Sequence, residues 1–148
     1  VVTRQAPGAP ATSLITLMTG VAVASAVADV CDARVELKWP NDVMVRTEAR
    51  GRGDATSPPW RKLAGILAEG ASEGGVLRTV VLGIGLNVCR SDAPADVAAR
   101  RIALEELGAD DAQADPASLV RPLVSALLVR LASGVEQLSS GRVEDVRQ

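Results

Sequence analysis

Leu63-Ala64-Gly65-Ile66-Leu67-Ala68 and Leu77-Arg78-Thr79-Val80-Val81-Leu82 are two mainly apolar runs, with Glu69-Gly70-Ala71-Ser72-Glu73-Gly74-Gly75 between them. Short apolar runs parted by a polar, glycine-rich segment read as two strands joined in a hairpin. Before them, Val35-Glu36-Leu37-Lys38 alternates apolar and polar side chains. It stops at Trp39-Pro40, because proline cannot donate to a ladder and holds its predecessor extended. Val43-Met44-Val45 resumes as a strand. The polar stretch from Arg46 to Arg61 contains Gly51, Gly53, Pro58 and Pro59 and is expected to be a long surface loop joining antiparallel strands. The centre of the chain is thus a small antiparallel meander.

Helices are expected on either side of it. Val1-Val2-Thr3-Arg4 reads as the end of a strand and Pro7-Gly8-Ala9-Pro10 as a loop, with Thr12 or Ser13 as N-cap. Leu14, Leu17, Met18, Val21, Ser25 and Ala28 then follow helical spacing, while Ile15, Val23 and Val27 fill other faces, so the helix should be well covered. No charge falls between Arg4 and Asp29, and Ala24-Ser25-Ala26 resembles a signal-peptidase site. The breaks at Pro7, Gly8 and Pro10, with Thr, Ser and Gly beyond, favour a buried helix over a membrane or secretion segment. Past Asn87, Ala95 to Leu107 reads as a helix stopped by Gly108, and Asp115-Pro116 as the start of another. Leu119, Leu123, Leu127, Leu131, Val135 and Leu138 carry its apolar stripe, with Pro122 making it start near Arg121 or bend.

Composition narrows the function. The 148 residues are a one-domain length. Sixteen basic and 18 acidic residues give a net charge of −2 without a basic block, so nucleic acid is not an expected partner. The sequence has no histidine, which excludes histidine-based triads and the usual zinc sites. Cys31 and Cys89 are lone thiols, as expected of a reducing, cytoplasmic setting. Trp39 and Trp60 are the only aromatic residues, so the core must be aliphatic.

Three segments place polar or glycine residues at strand ends, where sites are built. They are Lys38-Trp39-Pro40-Asn41-Asp42, Lys62-Leu63-Ala64-Gly65-Ile66-Leu67-Ala68-Glu69 and Gly83-Ile84-Gly85-Leu86-Asn87-Val88. Each alone has a plain reading: Asn41-Asp42 as turn chemistry, Lys62 as a solvated charge, Gly83 and Gly85 as a bulge. The glycine pair is not a dinucleotide fingerprint, because the third glycine and the following helix are missing. In this order, however, the three segments resemble the catalytic domain of biotin protein ligases, whose signature runs K-W-P-N-D, K-L-A-G-I-L-x-E and G-x-G-x-N. The resemblance covers Leu14 to Val88 well and the later helices loosely.

It implies an α+β fold of the biotin/lipoate protein ligase, class II synthetase-like type, with a mixed, mostly antiparallel sheet and helices on one face. It also implies ATP-dependent conversion of biotin to biotinyl-5′-AMP and transfer of biotin to a lysine of a biotin carboxyl carrier protein, with ATP and Mg²⁺ required and no membrane involved. On the matching positions Lys62 becomes the catalytic ammonium between carboxylate and α-phosphate. Asn41 and Asp42 take the phosphate side, Asp42 holding Mg²⁺ or orienting an arginine. Gly65, Gly83 and Gly85 form a floor for the ligand, and Asn87 supplies an adenine-side amide.

Residues 1–148 are accordingly expected to be a partial catalytic domain. The family's G-R-G-R-x-G-R loop and early strands would precede Val1, and its small C-terminal β-barrel would follow Gln148. Gly51-Arg52-Gly53 lies in the variable loop and does not replace the arginine loop. Two alternatives accompany this reading: a catalytically incomplete fragment with weak nucleotide or partner binding, and a lipoate-type acyl ligase.

Overall fold

A computed structural model of the chain describes residues 11–31, 33–47, 59–74, 76–90, 92–107 and 116–139. Helix α1 spans Ala11–Val30, followed by strands β1 (Val35–Lys38), β2 (Asp42–Arg46), β3 (Trp60–Glu73) and β4 (Val76–Leu86). A single helical turn, α2 (Ala95–Ala98), a 3-10 turn at Leu104–Glu106 and helix α3 (Pro116–Ser139) complete the order. The strands form one sheet in the order β1-β2-β3-β4, each neighbour antiparallel. Among the described residues the one parallel element is a bridge between Lys62 and Arg101, so the α+β, mostly antiparallel architecture expected from the sequence is what the chain adopts.

Burial follows the strand period. Val43, Val45 and Ile66 point into a core that also takes Leu63 and Ala64, while Leu67 and Val81 lie 59% and 60% exposed on the opposite face. Helix α1 covers the core face with Val23, Ala26 and Val27. It is therefore a buried helix along that side, although Leu17 and Val21 remain exposed. Helix α3 packs on α1 and reaches the same core through Leu123. Both helices are long and apolar enough to cross a membrane by length and composition; here α1 packs on the sheet and α3 packs on α1. An ion pair from Arg130 to Asp29, 2.5 Å, links the two.

Several expected boundaries move, each for a physical reason. Helix α1 already begins at Ala11, so Thr12 and Ser13 sit in its first turn instead of capping it. The polar run Glu69–Gly75 is mostly strand: β3 continues to Glu73, which pairs with Val76, because backbone pairing tolerates exposed polar side chains once a neighbouring strand is present. The ladder shifts register between Ala71 and Ser72 and turns at Gly74, whose φ of 59° is the left-handed geometry that glycine adopts without cost. The helix expected over Ala95–Leu107 shrinks to Ala95–Ala98, since Arg100 to Ile102 instead hydrogen-bond to the main chain of Lys62. Pro122 lies inside α3, which starts at Pro116 and continues through it. The expectations for Val1–Arg4, Pro7–Pro10, Gly108 and Asp115, and for most of the loop before Pro59, fall outside the described residues.

The close approach of α3 to α1 depends on Gly134. A β-carbon there would overlap the Cγ and Sδ of Met18, a side chain only 8% exposed. Gly134→Ala should therefore lower stability, the overpacking cost of about 1–3 kcal/mol exceeding the about 1 kcal/mol gained in helix propensity. A urea titration compared with wild type measures it, and an unchanged or raised midpoint would contradict the packing.

Candidate functional site

The site begins with a bulge. Between the pairs Val43–Ala64 and Met44–Lys62 the register of β2 and β3 shifts by one residue, leaving Leu63 as the extra residue of β3. Leu63 and Ala64 are consequently both buried, at 0% and 1% exposure, where strict alternation would bury only one. Positions 62 and 65, three apart, would lie on opposite faces of a regular strand. The bulge brings them to the same face.

On that face Lys62 meets Asp42 with Nζ–Oδ1 at 2.5 Å, the two side chains 43% and 23% exposed. Asp42 pairs with Gly65 across β2 and β3, and Gly65 pairs with Gly85 across β3 and β4. A β-carbon on Gly65 would come within 3.2 Å of Lys62 Nζ and 3.3 Å of its Cε, so the lysine lies directly over bare backbone. A β-carbon on Gly85 would meet no atom closer than 3.9 Å, and one on Gly83 none closer than 3.7 Å, so the floor there is open. The structure thus brings together Lys62, Asp42, Gly65 and Gly85, with Gly83 further along the same face opposite Leu67.

The two asparagines take backbone duties. Asn41 donates its side-chain amide to the carbonyl of Ile66 at 2.9 Å, and its own carbonyl accepts the Ile66 N–H at 2.9 Å, fixing the β1–β2 turn onto β3. Asn87 donates its amide to the Lys62 carbonyl at 3.1 Å and accepts from Arg101 at 2.7 Å. Each amide keeps a further N–H and a carbonyl lone pair for a ligand. The Trp39–Pro40 peptide is cis, and Trp39 is 86% exposed.

Lys62 is also held by its backbone. Its N–H donates to Arg100 O at 2.8 Å, and its carbonyl accepts from Ile102 N at 3.0 Å besides Asn87. This strap of residues 100–102 occupies the place beside β3 that β4 leaves at Leu86. Sequence reading missed it by assigning that segment to a helix. The signal available was weak: Ile102, Leu104 and Leu107 are apolar at spacings a helix also allows.

A cleft of about 510 Å³ has Asp42, the carboxylate partner of Lys62, in its lining. Its walls are the first half of α1, the β1–β2 turn from Leu37 to Asp42, and Ile66 to Ala68 of β3. The lining is chiefly apolar, with Leu14, Leu17, Leu37 and Leu67 among its members beside the polar Asn41 and Asp42.

No protein-family model matches the sequence. Two curated relatives do match: the bifunctional ligase/repressor BirA of Bacillus subtilis (strain 168) and that of Bacillus spizizenii, each 31% identical over 77 residues. The match covers 52% of this chain and 20% of each relative, so the chain spans only a fraction of their length. Among solved structures, the biotin protein ligase of Aquifex aeolicus in complex with biotin and ATP superposes with a TM-score of 0.58 over 86% of this chain and 45% of that one, at 23% identity. A second crystal structure of the Aquifex aeolicus enzyme gives 0.59 over 87% and 47%. The chain is similar in sequence to these BirA proteins over 77 residues and similar in fold to the biotin protein ligase of Aquifex aeolicus. That fold accommodates its sheet and helices.

Gly65 and Gly85 give a direct test of the floor. Gly65→Ala should leave the fold intact, because the atoms it meets are the flexible end of Lys62, yet it should displace the ammonium from Asp42. Chemical shifts of Lys62 Nζ and Asp42 Cγ should move in Gly65→Ala and stay in place in Gly85→Ala. Equal shifts in both variants would contradict the geometry.

Proposed function

We propose that the protein containing this chain activates biotin with ATP and transfers it to a lysine of a biotin carboxyl carrier protein, in the cytoplasm. The observation that carries this reading is the Lys62 ammonium, paired with Asp42 over the glycine floor, with Asp42 also lining an apolar cleft. The apolar valeryl chain of biotin suits the apolar part of the cleft, and in this reading its carboxylate is directed toward Lys62. A carboxylate oxygen attacks the α-phosphorus of ATP, the bond from that phosphorus to the bridging oxygen breaks, and pyrophosphate leaves. Two anionic groups must approach one another in this step, so a fixed ammonium between them offsets both repulsion and developing charge. In the second step the carrier amine attacks the acyl carbon of the mixed anhydride, AMP leaves and the amine loses a proton. Lys62, beside the same carbonyl, stabilises the oxyanion that forms.

Gly65, Gly83 and Gly85 let the adenylate lie close against the sheet, while the unused donors of Asn41 and Asn87 meet phosphate and adenine respectively. Among the described residues there is no cluster of three or more metal-ligating side chains. That fits Mg²⁺ bound mainly by substrate phosphates with a single carboxylate, for which Asp42 is the available group. When bound, the ion neutralises phosphate charge.

Lys62→Gln in the full-length protein should lower the rate of biotin-dependent pyrophosphate release about 10²–10³-fold, the usual cost of losing one contact to developing charge. Biotin affinity should change far less. A wild-type rate in this variant would remove Lys62 from the mechanism. Lipoate supplied in place of biotin should support no pyrophosphate release.

A further inference from the structure

Asn87 is fixed to the sheet by its main chain: its N–H donates to Leu63 O at 2.9 Å, and its carbonyl accepts the Leu104 N–H at 2.8 Å. What stays free is the side chain. Its Nδ2 donates to Lys62 O at 3.1 Å, and a single bond of this kind is a hinge about which the amide plane can turn. A second bond removes that freedom. Arg101 Nη2 donates to Asn87 Oδ1 at 2.7 Å, a short contact strengthened by the guanidinium charge. With both ends tied, the amide has one plane and one polarity, and the second N–H of Nδ2 is left for a ligand.

The guanidinium of Arg101 is not what holds the strap to β3. Main-chain bonds on either side of it do so, from Lys62 N to Arg100 O at 2.8 Å and from Ile102 N to Lys62 O at 3.0 Å. Ile102, Ala103 and Leu104, which follow, are all buried at 5% exposure or less. The carboxylates of the next turn are engaged elsewhere: Glu106 receives Arg61, Arg90 and the Ala103 N–H, and Glu105 receives the Arg90 N–H. Arg101 therefore brings a charged donor to a segment that is already anchored, and directs it at the one polar side chain of the site whose orientation is otherwise loose.

We propose that Arg101 is a positioning residue for the nucleobase, locking the Asn87 amide so that ATP meets a donor already oriented. The inference rests on the reading of Asn87 as the adenine-side amide, and it gives Arg101 no contact of its own with ATP. An amide that is fixed beforehand loses little rotational freedom when the base arrives, so the benefit falls on nucleotide affinity and not on the bond-making step.

Biotin-dependent pyrophosphate release by the full-length protein, with ATP and biotin varied in turn, tests this. Arg101→Met should raise KM for ATP about tenfold, the cost of losing one hydrogen bond to a charged group, and leave kcat and KM for biotin near wild type. A merely structural arginine would disturb all three. In an Asn87→Ala background the same substitution should add a factor of about two or less, because two residues acting through one contact do not contribute independently. The loss should also be equal at low and raised ionic strength, since Asn87 is neutral.

Three results would overturn the inference and leave biotin activation standing: an unchanged KM for ATP in Arg101→Met, a loss that adds in full to that of Asn87→Ala, or one that fades with salt, which would put Arg101 on the phosphates. A wild-type protein that releases no pyrophosphate with biotin would instead remove the activation reading, and this inference with it. The main-chain anchoring of the strap should keep Arg101→Met folded, and an unchanged KM for biotin verifies it.

Discussion

The extra residue in β3 at Leu63 decides what the rest of the structure can do. Without it Lys62 would share a face with Ala64 and Ile66 and point beneath α1, where a charged side chain would be buried in an aliphatic core. With it, Leu63 and Ala64 both enter the core and Lys62 emerges beside Asp42 and above Gly65. A bulge leaves backbone groups out of the regular ladder, and these need other partners. The Asn87 N–H meets the carbonyl of the extra residue Leu63, and Arg100 and Ile102 meet the N–H and carbonyl of Lys62 where β4 has ended.

The same shift sorts the neighbouring charges. Arg61, paired with the core-facing Val45, is carried to the helix side, where Glu106 and Ala98 receive it. Trp60, paired with Arg46, turns to the other face, and the Arg46 guanidinium lies 5.6 Å from its ring centroid. Three consecutive residues, Trp60, Arg61 and Lys62, thus serve three surroundings. A single register shift fixes all of them, because strand period couples every side chain to its neighbours.

The meander is legible in the sequence because β1, β2 and the first halves of β3 and β4 alternate or run apolar between clear breakers. The site residues on those strands are legible as segments, but their convergence is not. Alternation alone puts Lys62 and Gly65 on opposite faces, and nothing local in the sequence marks Leu63 as the extra residue. Asn41 and Asn87 read as ligand-side amides in the sequence, whereas in the fold both donate to main-chain carbonyls, of Ile66 and Lys62. The Ala95–Leu107 segment shows the opposite limit: its helical spacing is genuine, yet the unfilled place beside β3 offers Arg100–Ile102 a long-range pairing that local propensity cannot foresee.

The Lys62–Asp42 pair is short but half open to water, and this combination has a consequence for ligand capture. Exposed ion pairs contribute only about 0–1 kcal/mol, because solvent screens the charges and two side chains must be held in one geometry. Asp42 therefore keeps the ammonium over Gly65 without binding it strongly, and an incoming carboxylate or phosphate can replace it at little cost. A fully buried pair would resist the exchange, since separating its charges costs several kcal/mol. A lysine without Asp42 would instead sample many rotamers and lose that freedom on binding. The half-exposed pair lies between these limits, holding the charge in position while leaving it available, and the bare floor beneath it allows the exchange to occur without moving the sheet.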